Sequence, residues 1–297
     1  VTARPGAEQV SEQVSGHELI AACWTTAGAC DAMGPDDRSP VPIRERVAAA
    51  VAAGFAGFGI GYLDLMEVER TVGFAAFRAL LDEYGVRYLE LEVLDQFHST
   101  GETRARSDAK RADLLRAAES LGALRMKSIG SVAGGEVDIE RAADDFGRLC
   151  EQAKAASGMS VGLESMPFTD IRTPDVALEI VSRAGQANGG IFLDIWHVAR
   201  AGLDVSEVAS LPVEHIAGVE IDDADAEVRG TLIEDTFNER RFPGEGVLDV
   251  QGFVDAVAKT GYSGPWGVEM LSTDFRAMPV RDATRRAYDT TIRFLDR

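Results

Sequence analysis

VGLESMPFTDIRTPDVALEIVSRAGQANGGIFLDIWH, residues 161–197, decides the fold class. It opens on a short apolar run, Val161–Ser165, and passes through the helical pattern TPDVALEIVSRAG. There Thr173 can cap the N-terminus and Pro174 takes the first helical position. It closes on a second apolar run, Ile191–Ile195. Two strands joined by a helix of this length pack parallel, because only a crossover connection returns the chain to the same end of a sheet.

Outward from this unit the alternation repeats. Upstream, Leu19–Trp24 precedes RERVAAAVAAG near 44–54, and Phe55–Ile60 precedes TVGFAAFRALLDEYG at 71–85. Tyr88–Leu94 precedes a charged helix from about Thr103 to Leu121, and Leu124–Ile129 precedes a helix at 138–156. Downstream come a short helix around 205–210 and the strand Ile216–Ile221. A long connection then leads to the helix DVQGFVDAVAKTG at 249–261, the strand Trp266–Met270 and a closing helix from about Val280. Gly54, Gly85, Gly122, Gly158 and Gly261 each end a helix as a C-terminal cap. Eight strand–helix units predict a single (β/α)8 TIM barrel over residues 19–297, after a polar, aperiodic stretch 1–18 that reads as a flexible N-terminal tail. No GxGxxG or GxxxxGK[ST] follows a strand, which argues against a nucleotide-binding open sheet.

Thirty basic against 49 acidic side chains leave a net charge of −19, the wrong sign for nucleic acid or an anionic membrane. No apolar run reaches the roughly 18 residues of a membrane span, and residues 1–16 lack the apolar core of a signal peptide. Three cysteines without a CxxC read as reduced thiols rather than a disulfide framework or zinc cluster. The expected compartment is cytoplasmic.

Barrel active sites form at the C-terminal strand ends. The fifth strand ends in Glu164 and the sixth in Asp194, with His197 three residues on. The seventh offers Glu220, Asp222 and Asp223, and the eighth Glu269. Carboxylates converging there repel one another and call for a cation, and oxygen ligation suits Mg²⁺, Mn²⁺ or Ca²⁺ better than zinc. His197 is the next candidate acid or base, or else a cap of its loop. Lys127 near the end of the fourth strand, or Arg241 beside the PGEG turn, would neutralise an oxyanion, unless each serves a surface ion pair. Glu92 points into the mouth or away from it. Trp24, Trp196 and Trp266 are sugar-stacking candidates or core aromatics, and His98 is a loop residue within reach of a substrate. Asp36–Asp37 and Asp222–Asp225 read as solvated loops, and His215 as a residue of the opposite barrel end, ~16 Å from Glu220 along the strand.

The strand-five Glu, strand-six Asp with His three later, and strand-eight Glu resemble the xylose-isomerase-like superfamily of TIM barrels. RRFPGEGVLDVQGFVDAVAKTGYSGPWGVEML, 240–271, is similar to that superfamily's closing stretch. The superfamily includes ketose epimerases, hydroxypyruvate isomerase, inosose dehydratase, dehydroshikimate dehydratase and endonuclease IV. The resemblance implies that Glu164, Asp194 and Glu269 are metal ligands. The family's fourth ligand is usually His, sometimes Gln, where this sequence has Glu220, so a fourth carboxylate is expected to ligate.

The expected cofactor is one divalent cation, Mn²⁺ or Mg²⁺. The expected substrate is a neutral carbohydrate rather than a sugar phosphate, since no glycine-rich anion cradle is present. A homo-oligomer or a partner subunit is left open. The chemistry is proton abstraction next to a carbonyl through an enediolate, with Glu164, Glu269, His197 and Lys127 as catalytic groups and Arg241, Trp24 and His98 on the substrate. Proton return gives an isomerase or epimerase. Expulsion of a leaving group gives a lyase, either a dehydratase or the barrel subunit of a C-glycoside deglycosidase. A non-catalytic sugar- or partner-binding barrel is the reading from another class. A three-zinc endonuclease site is disfavoured, because the chain holds four histidines.

Overall fold

A computed structural model of the chain describes residues 16–296. Most of the expected tail therefore lies outside the described residues, but Glu18 belongs to the barrel: its carbonyl accepts from Trp266 N, and its carboxylate takes Tyr88 and Arg87.

Eight parallel strands close into a barrel. They are β1 (Leu19–Ala21), β2 (Gly57–Gly61), β3 (Tyr88–Leu94), β4 (Arg125–Ile129), β5 (Ser160–Glu164), β6 (Gly189–Asp194), β7 (Ile216–Ile221) and, after a two-stranded ribbon of β8 (Asp223–Ala224) and β9 (Arg240–Arg241), β10 (Trp266–Val268). The ring order is β1-β10-β7-β6-β5-β4-β3-β2, so β10 closes onto β1. Helices cover the outside: α1 (Ile43–Ala53), α2 (Tyr62–Thr71), α3 (Phe74–Glu83), α4 (Gly101–Leu121), α5 (Ile139–Ser157), α6 (Pro174–Ala184), α7 (Ile195–Arg200), α8 (Leu232–Asn238), α9 (Val250–Thr260), α10 (Thr273–Arg276) and α11 (Val280–Leu295). The apolar core lies between the strands and this shell, with Phe77, Leu114, Phe146 and Phe253 among its buried members. Among the described residues, no helix is long and apolar enough to cross a membrane.

Expectation and structure differ where short elements meet the mouth. The first strand ends at Ala21 and gives way to a 3-10 turn, Cys23–Thr26, while 205–210 is a 3-10 turn rather than an α-helix. Helices α2, α7, α8 and α10 are additional. Thr173 occupies the N-cap of α6, but its side chain makes no capping bond; Asp138 and Asp249 do cap α5 and α9. Gly54, Gly122, Gly158 and Gly261 cap their helices as expected, whereas α3 is capped by Tyr84 with Gly85 one residue beyond. Gly54 has φ 114°, and a Cβ there would run into the Tyr288 ring.

Candidate active site

Alternate residues of each strand enter the lumen and form two charged layers. In the lower layer Arg125 of β4 pairs with Glu90 of β3, both buried, and its guanidinium lies 5.5 Å from the centroid of the Phe192 ring. Two residues up each strand, Lys127 and Glu92 meet above that ring. The Lys127 Nζ is 4.8 Å from the Phe192 centroid, 3.0 Å from Glu92, 2.5 Å from Glu220 and 3.4 Å from Glu269. Glycines make room for these carboxylates, since a Cβ at Gly59 would overlap Glu92 and one at Gly267 would overlap Glu220. Glu92 also accepts from Cys23 N at 2.8 Å, so it points into the mouth.

A second cation, Arg240, organises the other half. Its guanidinium donates to Asp194 at 2.7 Å, to Asp222, and to Glu269 at 3.1 Å, and it lies over the Trp196 ring. Asp194 caps α7 through Trp196 N (2.6 Å) and His197 N (3.2 Å). That cap swings His197 into the mouth, with Nε2 3.6 Å from Glu164 Oε1.

Electrostatics differ from group to group. Burial pushes the Glu164 carboxyl well above its ordinary range; Lys127 opposes this while Glu269 and Asp194 add to it. Glu220 is raised likewise, by burial first. Burial also acts on Asp194, but Arg240 outweighs it and holds that carboxylate below its ordinary value. Burial would lower the Lys127 ammonium; Glu220, Glu92 and Glu269 overcome it and hold it charged. Burial draws His197 down to about 4, so its imidazole is neutral near pH 7.

Two donor groups have ligand atoms within 4.8 Å of one another: Glu164, Asp194 and His197, and Glu92, Glu220 and Glu269. Glu164 Oε1, Glu220 Oε2 and both His197 ring nitrogens are buried without a hydrogen-bond partner. Such atoms are costly unless something binds them. A carboxylate-rich set with one neutral imidazole fits a divalent cation. The fit is better at Glu164 and Asp194, with Glu269 the member of the other group that Lys127 holds least closely, at 3.4 Å.

Glu164, His197, Lys127, Glu269 and Trp24 line one cavity of about 570 Å³ at the mouth. Arg241 and His98 are not among its lining residues. Arg241 faces away, pairing with Asp225 at 2.8 Å and Asp274 at 3.6 Å; neighbouring residues of a strand point to opposite sides, and Arg240 takes the inner position. His98 is buried against Asp170 (2.8 Å), which in turn accepts from Ser131 N. Trp196 packs in the core and Trp266 is buried, while His215 precedes β7 at the opposite end as expected. Asp222 and Asp223 are buried rather than solvated. Asp222 pairs with Arg240, and Asp223 accepts from the amides of Gly244, Gly246 and Leu248, holding the PGEG turn. Arg240 is missed by sequence reasoning, and Asp222, offered at the end of the seventh strand, reads there as part of a solvated loop. The doublet Arg240–Arg241 was visible, but which member faces inward depends on the pairing of β9 with β8.

A closed eight-stranded barrel with a carboxylate-lined mouth defines a class of TIM-barrel proteins built for a divalent cation. The sequence matches the xylose isomerase-like TIM barrel family over residues 47–297, and the chain belongs to that family. It is 31% identical over 242 residues to a 3-dehydroshikimate dehydratase of Pseudomonas aeruginosa, covering 80% of this chain and 37% of that protein. It is 28% identical over 137 residues to an inosose isomerase of Halalkalibacterium halodurans, 46% of this chain and 48% of that one. The match spans 37% of the dehydratase's length and 48% of the isomerase's. The fold superposes on a crystal structure titled as the IOLI protein with a binding zinc atom, at a TM-score of 0.81 and 19% identity, covering 94% and 98% of the two chains.

Proposed function

We propose that this chain is a divalent-metal-dependent isomerase or epimerase acting on a neutral sugar, keto-sugar or polyol by proton abstraction next to a carbonyl. The observation that carries the reading is the convergence of Glu164 and Glu269 on one cavity from strands three places apart in the ring. Two carboxylates on different walls suit removal of a proton and its return to another face or carbon.

A divalent cation held by Glu164, Asp194 and Glu269 would polarise the substrate carbonyl and acidify the adjacent C–H. Glu164, which such a cation would hold ionised, would accept the proton. Lys127 offsets the negative charge that develops on the substrate oxygen. Neutral His197 exchanges a hydrogen bond with a substrate hydroxyl, and Glu269 delivers the proton. Arg240 positions Asp194 and Glu269. Glu220, expected as a fourth ligand, acts instead as the partner that keeps Lys127 charged and fixed.

One observation favours a second reading. The dehydratase similarity covers 80% of this chain and the isomerase similarity 46%, which supports a lyase that expels water from the same carbanion. The test is to load the protein with Mn²⁺ in D₂O and follow a panel of keto-sugars and cyclic polyol ketones by proton NMR. Deuterium entering carbon without loss of a hydroxyl supports the isomerase or epimerase. An unsaturated product identifies the lyase, and no exchange across the panel leaves a binding barrel.

A further inference from the structure

The floor of the cavity is ionic, but its rim is not. Trp24 and Phe237 meet edge to face at 6.1 Å on one side. Phe168 stands on the loop after β5, four places from β1 around the ring, and touches His197 edge-on at 5.9 Å. Met166, Met33 and Val132 extend these walls, and Met33 and Val132 are each 48% exposed. Of the polar groups at the rim, Lys110 is held by Asp95 at 2.8 Å and Asp64 by Arg46 and Ser39, which leaves Asp37 as the acidic rim group lining the cavity.

A bare polyol presents hydroxyls in every direction, and these walls offer them few partners. A cavity of about 570 Å³ also lies within the roughly 300–1,000 Å³ of sites that enclose drug-sized ligands. The geometry points to an aromatic-ring subsite: the substrate carries an aryl group, held between Trp24–Phe237 and Phe168, on the polyhydroxylated ring that reaches the ionic floor. Opposed aromatic walls suit a flat ring, through area burial and edge or offset stacking. The inference rests on the floor being the reaction centre.

Matched pairs of phenyl and methyl β-glycosides of glucose, galactose, mannose and xylose test it by titration calorimetry on the Mn²⁺-loaded protein. At least one phenyl glycoside is expected to bind about tenfold or more tighter than its methyl counterpart. Phe168→Ala and Phe237→Ala, each checked for a native circular dichroism spectrum, are expected to erase that preference. Equal binding within every pair, no binding of any phenyl glycoside at millimolar concentration, or a preference that survives both variants overturns the subsite. An aryl preference without deuterium exchange in any substrate leaves the subsite standing and sinks the catalytic reading. Exchange on free sugars with no aryl preference does the reverse.

Discussion

The ammonium of Lys127 lies 2.5 Å from Glu220 Oε1, tying β4 to β7 across the barrel lumen with both side chains fully buried. The same ammonium reaches Glu92 and Glu269, so one lysine offsets three carboxylates that have left water. Removing a buried charge from such a cluster leaves the others uncompensated. Lys127→Met is therefore expected to cost about 3–5 kcal/mol of unfolding free energy. The double variant Lys127→Met with Glu220→Met is expected to recover a large part, because a dry apolar pair replaces a broken ionic one. Urea denaturation of both proteins decides. A neutral single variant, or a double variant worse than additive, contradicts the pairing.

Arg240 and Arg241 are adjacent but face opposite ways. Arg240→Met strips the cation from Asp194, Asp222 and Glu269 and is expected to destabilise by roughly 3 kcal/mol or more. Arg240→Lys is expected to rescue it poorly, since an ammonium cannot reproduce the fork that spans three carboxylates. Arg241→Met removes only a partly exposed pair with Asp225 and is expected to stay within about 0.5 kcal/mol of the parent. Equal effects of Arg240→Met and Arg241→Met, whether small or large, would contradict their facing opposite ways.

This pair also shows why the sequence was legible for the fold and only partly for the site. The barrel could be read because apolar runs and helical patterns repeat as local signals, and because Gly54 or Gly261 marks a helix end within its own segment. Glu164, Asp194 and Glu269 could be placed because a strand end is a local feature. Arg240, Asp222 and Asp223 could not, because their burial depends on a two-residue ribbon whose partners are 16 and 18 positions apart. Acidic GVEIDDAD reads as solvent-exposed until Arg240 and the PGEG amides are brought to it. Helices α2 and α8 were likewise hidden in stretches that look like connections. His98 looked available because nothing near it in sequence announces Asp170, 72 residues away.

Metal binding is the next prediction. The parent protein, dialysed against Mn²⁺ and then metal-free buffer, is expected to retain about one ion per chain by elemental analysis, as a single carboxylate-rich site implies. Glu164→Gln and Glu269→Gln are expected to lose it, with Glu220→Gln less affected because that carboxylate serves Lys127. Saturating Mn²⁺ at about 100 times its dissociation constant is expected to add about 2.7 kcal/mol to parent stability, an increment absent from Glu164→Gln. Retention of the ion by both ligand variants would move the site elsewhere.

Cys150 supplies a pH dependence away from the metal site. It is fully buried on α5, where burial lifts its thiol from 9.0 to about 12. The unfolded chain releases this proton near pH 9.0, while the folded chain keeps it until about 12. Between those values the folded state binds more protons, so stability is complete below the unfolded pKa and declines as pH rises toward the folded one. From pH 7.5 to 10.5 the loss assigned to this thiol is about 2 kcal/mol. Urea unfolding across that interval is expected to show a decline in the parent that is smaller by this amount in Cys150→Ala, the difference cancelling every other titrating group. The native thiol is also expected to resist iodoacetamide at pH 8 and to react once the chain is unfolded. Identical pH slopes for the parent and the alanine variant would mean that Cys150 ionises as readily in the fold as in water.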